Sequence, residues 1–423
     1  IAGLFSSAAQ AADQSDAALI AQGEYLARAG DCTACHTVAG GKDFGGGLAI
    51  ASPMGVIYST NISPDPKAGI GEYTEQEFAD AVRKGVRRDG KNLYPAMPYP
   101  DYRGVTDADI HALYVYFMKG VQPVAEKAPE TSLMFPFSQR WGMWFWNKAF
   151  TEDKPFTPLP TAPEELNRGK YLVETLGHCV SCHTPRGIGM QEKALNESNS
   201  HYLAGGELNG WPVPALRGMP TWSVKDITDY LATGRNDFAS VGGEMTGVVE
   251  HSMQHMNDAD LQAIARYLKS LPADVPVKNR RAAVDLETQK TADFLTHGHN
   301  LGAGQMLYMN NCEACHWTDG KGAKGIFPRL NGGDIVTADN PTGLINIILQ
   351  GAQTPSTPKA PSVMAMPAFS ARLSDEQVAQ LPTFVRRGWS HDAPAASAKS
   401  LKYARALPAA ANGPKRIVAV TAC

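Results

Sequence analysis

Apolar residues recur at helical spacing in three sets spread evenly along the chain. Each set opens on a short amphipathic stretch: Gly23-x-Tyr25-Leu26, Gly169-x-Tyr171-Leu172, and the more divergent Gly304-x-Met306-Leu307. A second amphipathic segment follows in each: Phe78-Ala79-x-Ala81-Val82, Ile227-x-x-Tyr230-Leu231 and Ile345-x-x-Ile348-Leu349. Gly85, Gly234 and Gly351 stop these segments. A third helix closes each set, running through Leu113-Tyr114-x-Tyr116-Phe117, Ile264-x-x-Tyr267-Leu268 and Leu381-x-x-Phe384-Val385. Its start is marked by Thr106, Asn257 and Ser374, each with an acid or amide three places on, as an N-cap requires. The pattern predicts a mainly α protein in which one helical plan is written three times, joined by Gly- and Pro-rich loops.

Directly after the opening helix of each set stands the same pentapeptide pattern: Cys32-Thr33-Ala34-Cys35-His36, Cys179-Val180-Ser181-Cys182-His183 and Cys312-Glu313-Ala314-Cys315-His316. C-x-x-C-H reads as a c-type haem attachment site. Thiols three positions apart on a helical turn can each form a thioether with a haem vinyl group, and the histidine then supplies a nitrogen to the iron. A zinc knuckle or a redox dithiol is the alternative for a single copy. Zinc needs a second ligand pair close to the first, whereas these copies begin 147 and 133 residues apart. They use Cys32, Cys35, Cys179, Cys182, Cys312 and Cys315, leaving only Cys423, an unpaired terminal thiol. Three covalently bound haem c groups are expected.

An electron-transfer haem keeps both axial positions filled, and a Met thioether opposite the histidine raises the potential. Met97 lies 61 residues after His36 and Met366 lies 50 after His316, each followed by a proline that favours an extended ligand loop. Met364 is an alternative to Met366 but lacks the proline. In the middle set Met245, Met253 and Met256 are all available, with His251 and His255 interleaved. Met245, 62 residues after His183, has nearly the reach of the first copy and is preferred, with a histidine ligand as rival. The expected iron ligands are therefore His36, Met97, His183, Met245, His316 and Met366.

At 423 residues the chain has room for about three domains. The boundaries are read as 20–120, 166–272 and 301–390, with a signal remnant or flexible N-terminus over 1–19. A net charge of −3 favours no nucleic-acid partner. No apolar run approaches a membrane span, so contact with a membrane surface is the form of association left open. The first residues resemble the end of a cleavable secretory signal with an A-x-A site near Ala9–Ala11. That cue and the haem motifs both point to the periplasmic face of the inner membrane. The segment 121–165 is Pro-rich and then aromatic, from Met134-Phe135-Pro136-Phe137 through Trp141, Met143, Trp144, Phe145, Trp146 and Phe150. It is either a satellite core or a face for a partner or a membrane. The segment 273–300 reads as a polar surface linker, and 391–423 as a solvated basic tail.

Several motifs resemble one family specifically. They are Gly30-Asp31-Cys32-x-x-Cys35-His36-Thr37, Tyr58-Ser59-Thr60-Asn61-Ile62, Tyr94-Pro95-Ala96-Met97-Pro98-Tyr99-Pro100, His178-Cys179-x-x-Cys182-His183-Thr184-Pro185-Arg186-Gly187 and Met366-Pro367. From about residue 20 to 390 the chain is similar to the triheme cytochrome c subunit of membrane-bound dehydrogenases of acetic acid bacteria. Those enzymes oxidise alcohols, gluconate, fructose, sorbitol or aldehydes. The resemblance implies three tandem class I cytochrome c domains, in each of which the first and last helices cross. Gly23 and Gly169 fit the place where an aromatic ring approaches the backbone. It also implies Met245 as a ligand, in Gly243-Glu244-Met245-Thr246-Gly247-Val248-Val249, with one residue inserted relative to the family's Gly-Met-x-x-Val-Val.

The resemblance further implies a subunit with no catalysis of its own. It would take electrons from the flavin, quinone or molybdenum cofactor of a large dehydrogenase subunit, with a small subunit as a third chain. It would deliver them to ubiquinone at the membrane surface. Two other readings compete: a peroxidase-like haem protein with one open iron, and a periplasmic multihaem carrier or oxidase subunit.

Overall fold

The computed structural model describes every residue except 1, 53, 153–154, 209–210, 274–280, 407–417 and 420–423; for 2–15, 281–285, 406 and 418–419 it describes the backbone only. Cys423 lies outside the described residues. The chain forms two compact units, one of residues 1–202, 251–267 and 411–423, the other of 203–250 and 268–410.

In the first unit, helix Ala2–Ala29 crosses helix Asp107–Val115. They meet at Gly23, where a Cβ would stand 2.1 Å from the Ala112 carbonyl oxygen and 2.5 Å from the Cβ of Tyr116. Only glycine allows that approach. The same unit repeats the arrangement at Gly169 on helix Glu164–Glu174, whose absent Cβ would fall 2.0 Å from the Ala263 carbonyl oxygen and 2.9 Å from the Cβ of Tyr267. In the second unit helix Ala303–Asn311 meets helix Asp375–Arg387 at Gly304, facing the Gln380 carbonyl at 2.6 Å and Phe384 at 2.9 Å. The crossing expected at two glycines is therefore present at all three.

The expected caps form. Thr106 accepts from the Asp109 amide at 3.2 Å, Asn257 from Asp260 at 2.8 Å, and Ser374 from Gln377 at 3.3 Å. The intermediate helices Glu75–Lys84, Val224–Thr233 and Thr342–Gln350 end on Gly85, Gly234 and Gly351 with φ of 63°, 74° and 74°. Strands are short. The strand pair Ala49–Ser52 and Gly55–Tyr58 takes on Ser132–Leu133 in the first unit, while Gly206–Leu208 pairs with Trp211–Val213 and Ala352–Gln353 with Ala365–Met366 in the second.

Three terminal and linking segments form helices. The N-terminal segment continues into the first helix, which begins at Ala2. The polar linker contains helix Arg281–His297, which buries Thr288 and Leu295; the Asn331 amide donates to the Thr288 hydroxyl at 2.8 Å. Thr288 and Thr291 find partners in Asn331 and the Trp389 amide, so sparse apolar spacing did not mean a solvated loop. The basic tail forms helix Ala398–Ala406, burying Leu401 and Ala404, with Arg405 paired to Asp375 at 2.6 Å.

The aromatic segment divides. On helix Gly142–Phe150, Trp146 donates to the Gly189 carbonyl at 2.7 Å and packs against Phe150. Met134, Phe135, Phe137, Trp141, Trp144 and Phe145 stay 51–80% exposed. A satellite core accounts for the first group only.

Candidate haem attachment sites

Each C-x-x-C-H pentapeptide closes as a helical turn. His183 donates its amide to the Cys179 carbonyl and His316 to the Cys312 carbonyl, both at 2.9 Å, and Thr37 donates to Thr33 at 3.0 Å. A turn of this kind puts its two thiols on one face. Asp31 and His178, just before the first and second turns, have φ of 53° and 34°, a left-handed kink that turns the chain out of the preceding helix. Burial pushes the Cys32, Cys179 and Cys312 thiols up to about 12. Surroundings so hostile to a thiolate suit a thioether.

The imidazoles are oriented by backbone. His36 Nδ1 lies 2.7 Å from the Thr60 carbonyl oxygen, and His316 Nδ1 lies 2.9 Å from that of Pro328. A carbonyl partner fixes the proton on Nδ1 and leaves the Nε2 lone pair for a metal. Burial lowers the pKa of both rings against the opposing pull of those carbonyls, which keeps them neutral as ligation demands. The Thr60 carbonyl is held in place by its neighbour: buried Asn61 donates to the Val124 and Glu126 carbonyls at 2.7 and 3.0 Å and accepts from the Ser63 amide at 2.9 Å. This network accounts for the Tyr58-Ser59-Thr60-Asn61-Ile62 motif.

The candidate methionines occupy one topological place, between the glycine-stopped helix and the closing helix of each copy. Met97 is half-buried between Tyr94, whose carbonyl takes its amide at 3.1 Å, and Tyr99, whose amide donates to its carbonyl at 2.7 Å. Met366 is half-buried beside the core of the second unit, in the strand opposite Ala352. Met364 is tied by its amide to the Thr354 hydroxyl at 2.9 Å. In the middle copy Met253 and Met256 are buried like core residues, His255 is exposed, and Met245 opens helix Met245–His251 half-buried. Cys179, Cys182 and His183 belong to the first unit and Met245 to the second.

Sequence reasoning found the thiols and histidines but missed their supports. One is the pair of carbonyl anchors. The other is a buried contact in which the Ser181 hydroxyl, inside the second C-x-x-C-H turn, donates to Asp101 at 2.6 Å. The Tyr58-Ser59-Thr60-Asn61-Ile62 motif holds the Thr60 anchor, while Pro328, twelve residues after His316, was not singled out.

At His36 and His316, paired thiols and an imidazole anchored through Nδ1 fit haem c, which when bound supplies a one-electron iron couple. Such an arrangement on crossed, glycine-contacting helices defines a mainly α protein of tandem class I cytochrome c segments. The chain belongs to the cytochrome c family, which matches residues 20–120, 166–272 and 302–389. It is 46% identical over 407 residues to the gluconate 2-dehydrogenase cytochrome c subunit of Pantoea cypripedii, covering 93% of this chain and 91% of that protein. The cytochrome c subunit of the quinone alcohol dehydrogenase of Gluconobacter oxydans (strain 621H) is 45% identical over 90% of this chain and 81% of its own length. For the fructose dehydrogenase cytochrome subunit of Gluconobacter japonicus the figures are 39%, 92% and 82%.

Proposed function

We propose that this chain carries three covalent haem c groups and relays electrons from the cofactor of a partner dehydrogenase to ubiquinone in the membrane. Cys32 and Cys35, Cys179 and Cys182, and Cys312 and Cys315 hold the haem edges. His36, His183 and His316, together with Met97, Met245 and Met366, would supply the iron ligands. Ligands of this kind would leave no iron position for a substrate, so the chain's part would be to set potential and distance rather than to make or break bonds. The domains are 20–120, 166–272 and 301–390.

The observation that carries this reading is the presentation of His36 and His316, each anchored through Nδ1 beside its pair of thiols. The named relatives are subunits of gluconate, alcohol (quinone) and fructose dehydrogenases, which supports a dehydrogenase partner. On our reading that partner carries a flavin, quinone or molybdenum cofactor, and the chain is exported and works on the periplasmic face of the inner membrane. Among the described residues no helix is long and apolar enough to cross a membrane.

The test has two parts. Intact mass and pyridine haemochrome should report three haems per chain, with low-spin spectra and no carbon monoxide binding to the reduced protein. Gentle detergent extraction should co-purify a large redox enzyme with quinone reductase activity. Fewer than three haems, or quinone reduction undiminished after this chain is removed, overturns the reading.

A further inference from the structure

The exposed aromatic segment carries more chemistry than an oily surface needs. From Thr131 to Thr151 it contains no acid and two cations, Arg140 and Lys148. Trp141, Trp144 and Phe145 form edge-to-face contacts with ring centroids 6.1 and 4.9 Å apart, yet each ring is more than half exposed. They wall one side of an open cleft of about 440 Å³ whose other side is Lys91, Asn92 and Arg140. One wall thus offers π faces and the other offers hydrogen-bond donors and positive charge.

The donor wall is fastened to the first candidate iron ligand. Arg140 lies 4.5 Å over the Tyr94 ring and donates to the Asn92 carbonyl at 2.9 Å. The Tyr94 hydroxyl in turn donates to the Phe137 carbonyl at 3.0 Å. Tyr94 stands three residues before Met97, a span of at most about 10 Å of extended chain. Whatever ring enters the cleft sits close behind the loop that would carry the sixth ligand of the first iron.

The occupant follows from this pairing. An acyl chain would use the aromatic wall but bring no acceptor to Lys91, which pairs with Asp89 at 3.4 Å, or to Arg140. A phosphate or acidic peptide would use the donors and leave the rings in water. A flat ring bearing carbonyl oxygens uses both, stacking on the aromatics while Lys91 and Arg140 meet the oxygens on which negative charge collects as electrons arrive. We propose that this cleft is the site at which the chain reduces a membrane quinone, with Trp144 stacking on the ring and Lys91 and Arg140 facing its carbonyl oxygens. The proposal rests on the reading that electrons leave this chain to a quinone, and adds where. The reaction balances as two electrons, delivered singly from two ferrous haem irons that become ferric, and two protons taken from water through the open cleft. Both C=O groups become C–OH. Exposure of the same rings suits a site that a lipid-dissolved substrate must reach from the bilayer interface.

The test uses the detergent-solubilised complex with short-chain ubiquinone-1 as probe. Trp144→Ala and Lys91→Gln are compared with the parent and with Trp144→Phe. Haem content and reduction of the haems by the partner's substrate serve as folding controls. Binding is measured by calorimetry, KM by quinone reduction, and vesicle association by co-sedimentation with phosphatidylglycerol liposomes. Loss of one aromatic face should raise both Kd and KM for ubiquinone-1 about tenfold, and Trp144→Phe should restore most of that. Parent and Trp144→Ala complexes with equal Kd and KM overturn the cleft while leaving the quinone reading intact. A parent complex whose haems are reduced but that neither binds nor reduces ubiquinone-1 overturns both. Lost vesicle association with unchanged ubiquinone-1 affinity assigns the face to lipid and also rejects the proposal.

Discussion

The Ser181 hydroxyl donates a 2.6 Å hydrogen bond to the Asp101 carboxylate, and both residues are only 1% exposed. The pair ties the segment just after Met97 to the inside of the second C-x-x-C-H turn. Burial, with the nearby Glu192 charge adding to it, pushes the Asp101 carboxyl up to about 8, against the pull of the Ser181 bond and the two arginines Arg103 and Arg186. The folded chain therefore holds a proton that the unfolded chain releases near pH 4. Stability from this group is complete below that value and is lost as pH rises toward 8. Asp101→Asn should flatten the decline in urea midpoint between pH 5 and 8 that the parent shows. An unchanged slope would mean the group does not carry it.

Asp260 should give the opposite dependence. Burial acts to raise its pKa, but Arg168 at 2.8 and 2.7 Å and the Tyr25 hydroxyl at 2.7 Å hold the carboxyl below its usual range. Its contribution is present at neutral pH and fades as pH falls through the depressed value. Asp260→Asn should cost about 2 kcal/mol at pH 7 and less at pH 3, measured by denaturant unfolding.

A methyl group at a helix crossing should be expensive. Gly169→Ala would set a Cβ 2.0 Å from a backbone oxygen that cannot turn aside, and the loss should reach about 3 kcal/mol. Gly23→Ala, at 2.1 Å, should match it, whereas Gly304→Ala, at 2.6 Å, should cost less. Thermal unfolding of the three variants gives the ranking, and equal losses would contradict it.

Replacing a sixth ligand should move one potential and leave two. Met97→His should keep the first iron low-spin while lowering its midpoint, since axial ligation can move haem potentials across roughly 0.8 V. Met97→Ala should instead open one iron per chain to carbon monoxide. Redox titration and the carbon monoxide difference spectrum distinguish these outcomes from a Met97 that ligates nothing.

What could be read from the chain was local. Thr106, Asn257 and Ser374 cap helices through bonds three residues long, while the crossing at Gly23 and Gly169 came from the family resemblance and that at Gly304 from the structure. Cys32, Cys35 and His36 lie within one turn, so their geometry is written in five letters. The supports are not local: Thr60 stands 24 residues from His36, and Asp101 stands 80 from Ser181. Contacts of that reach depend on how loops close, which periodicity does not record. Helix Arg281–His297 escaped for another reason. Its buried side includes Thr288, whose hydroxyl is matched by Asn331, so burial there follows hydrogen bonding rather than oiliness.

The large side chains left standing in water between Met134 and Phe145 also bear on handling. Without an amphiphile to cover them, molecules meet through these rings, and the rate of clumping climbs with concentration even while every helix stays folded. Samples kept dilute or in detergent should remain monodisperse, and a cloudy tube would report crowding of this strip rather than denaturation.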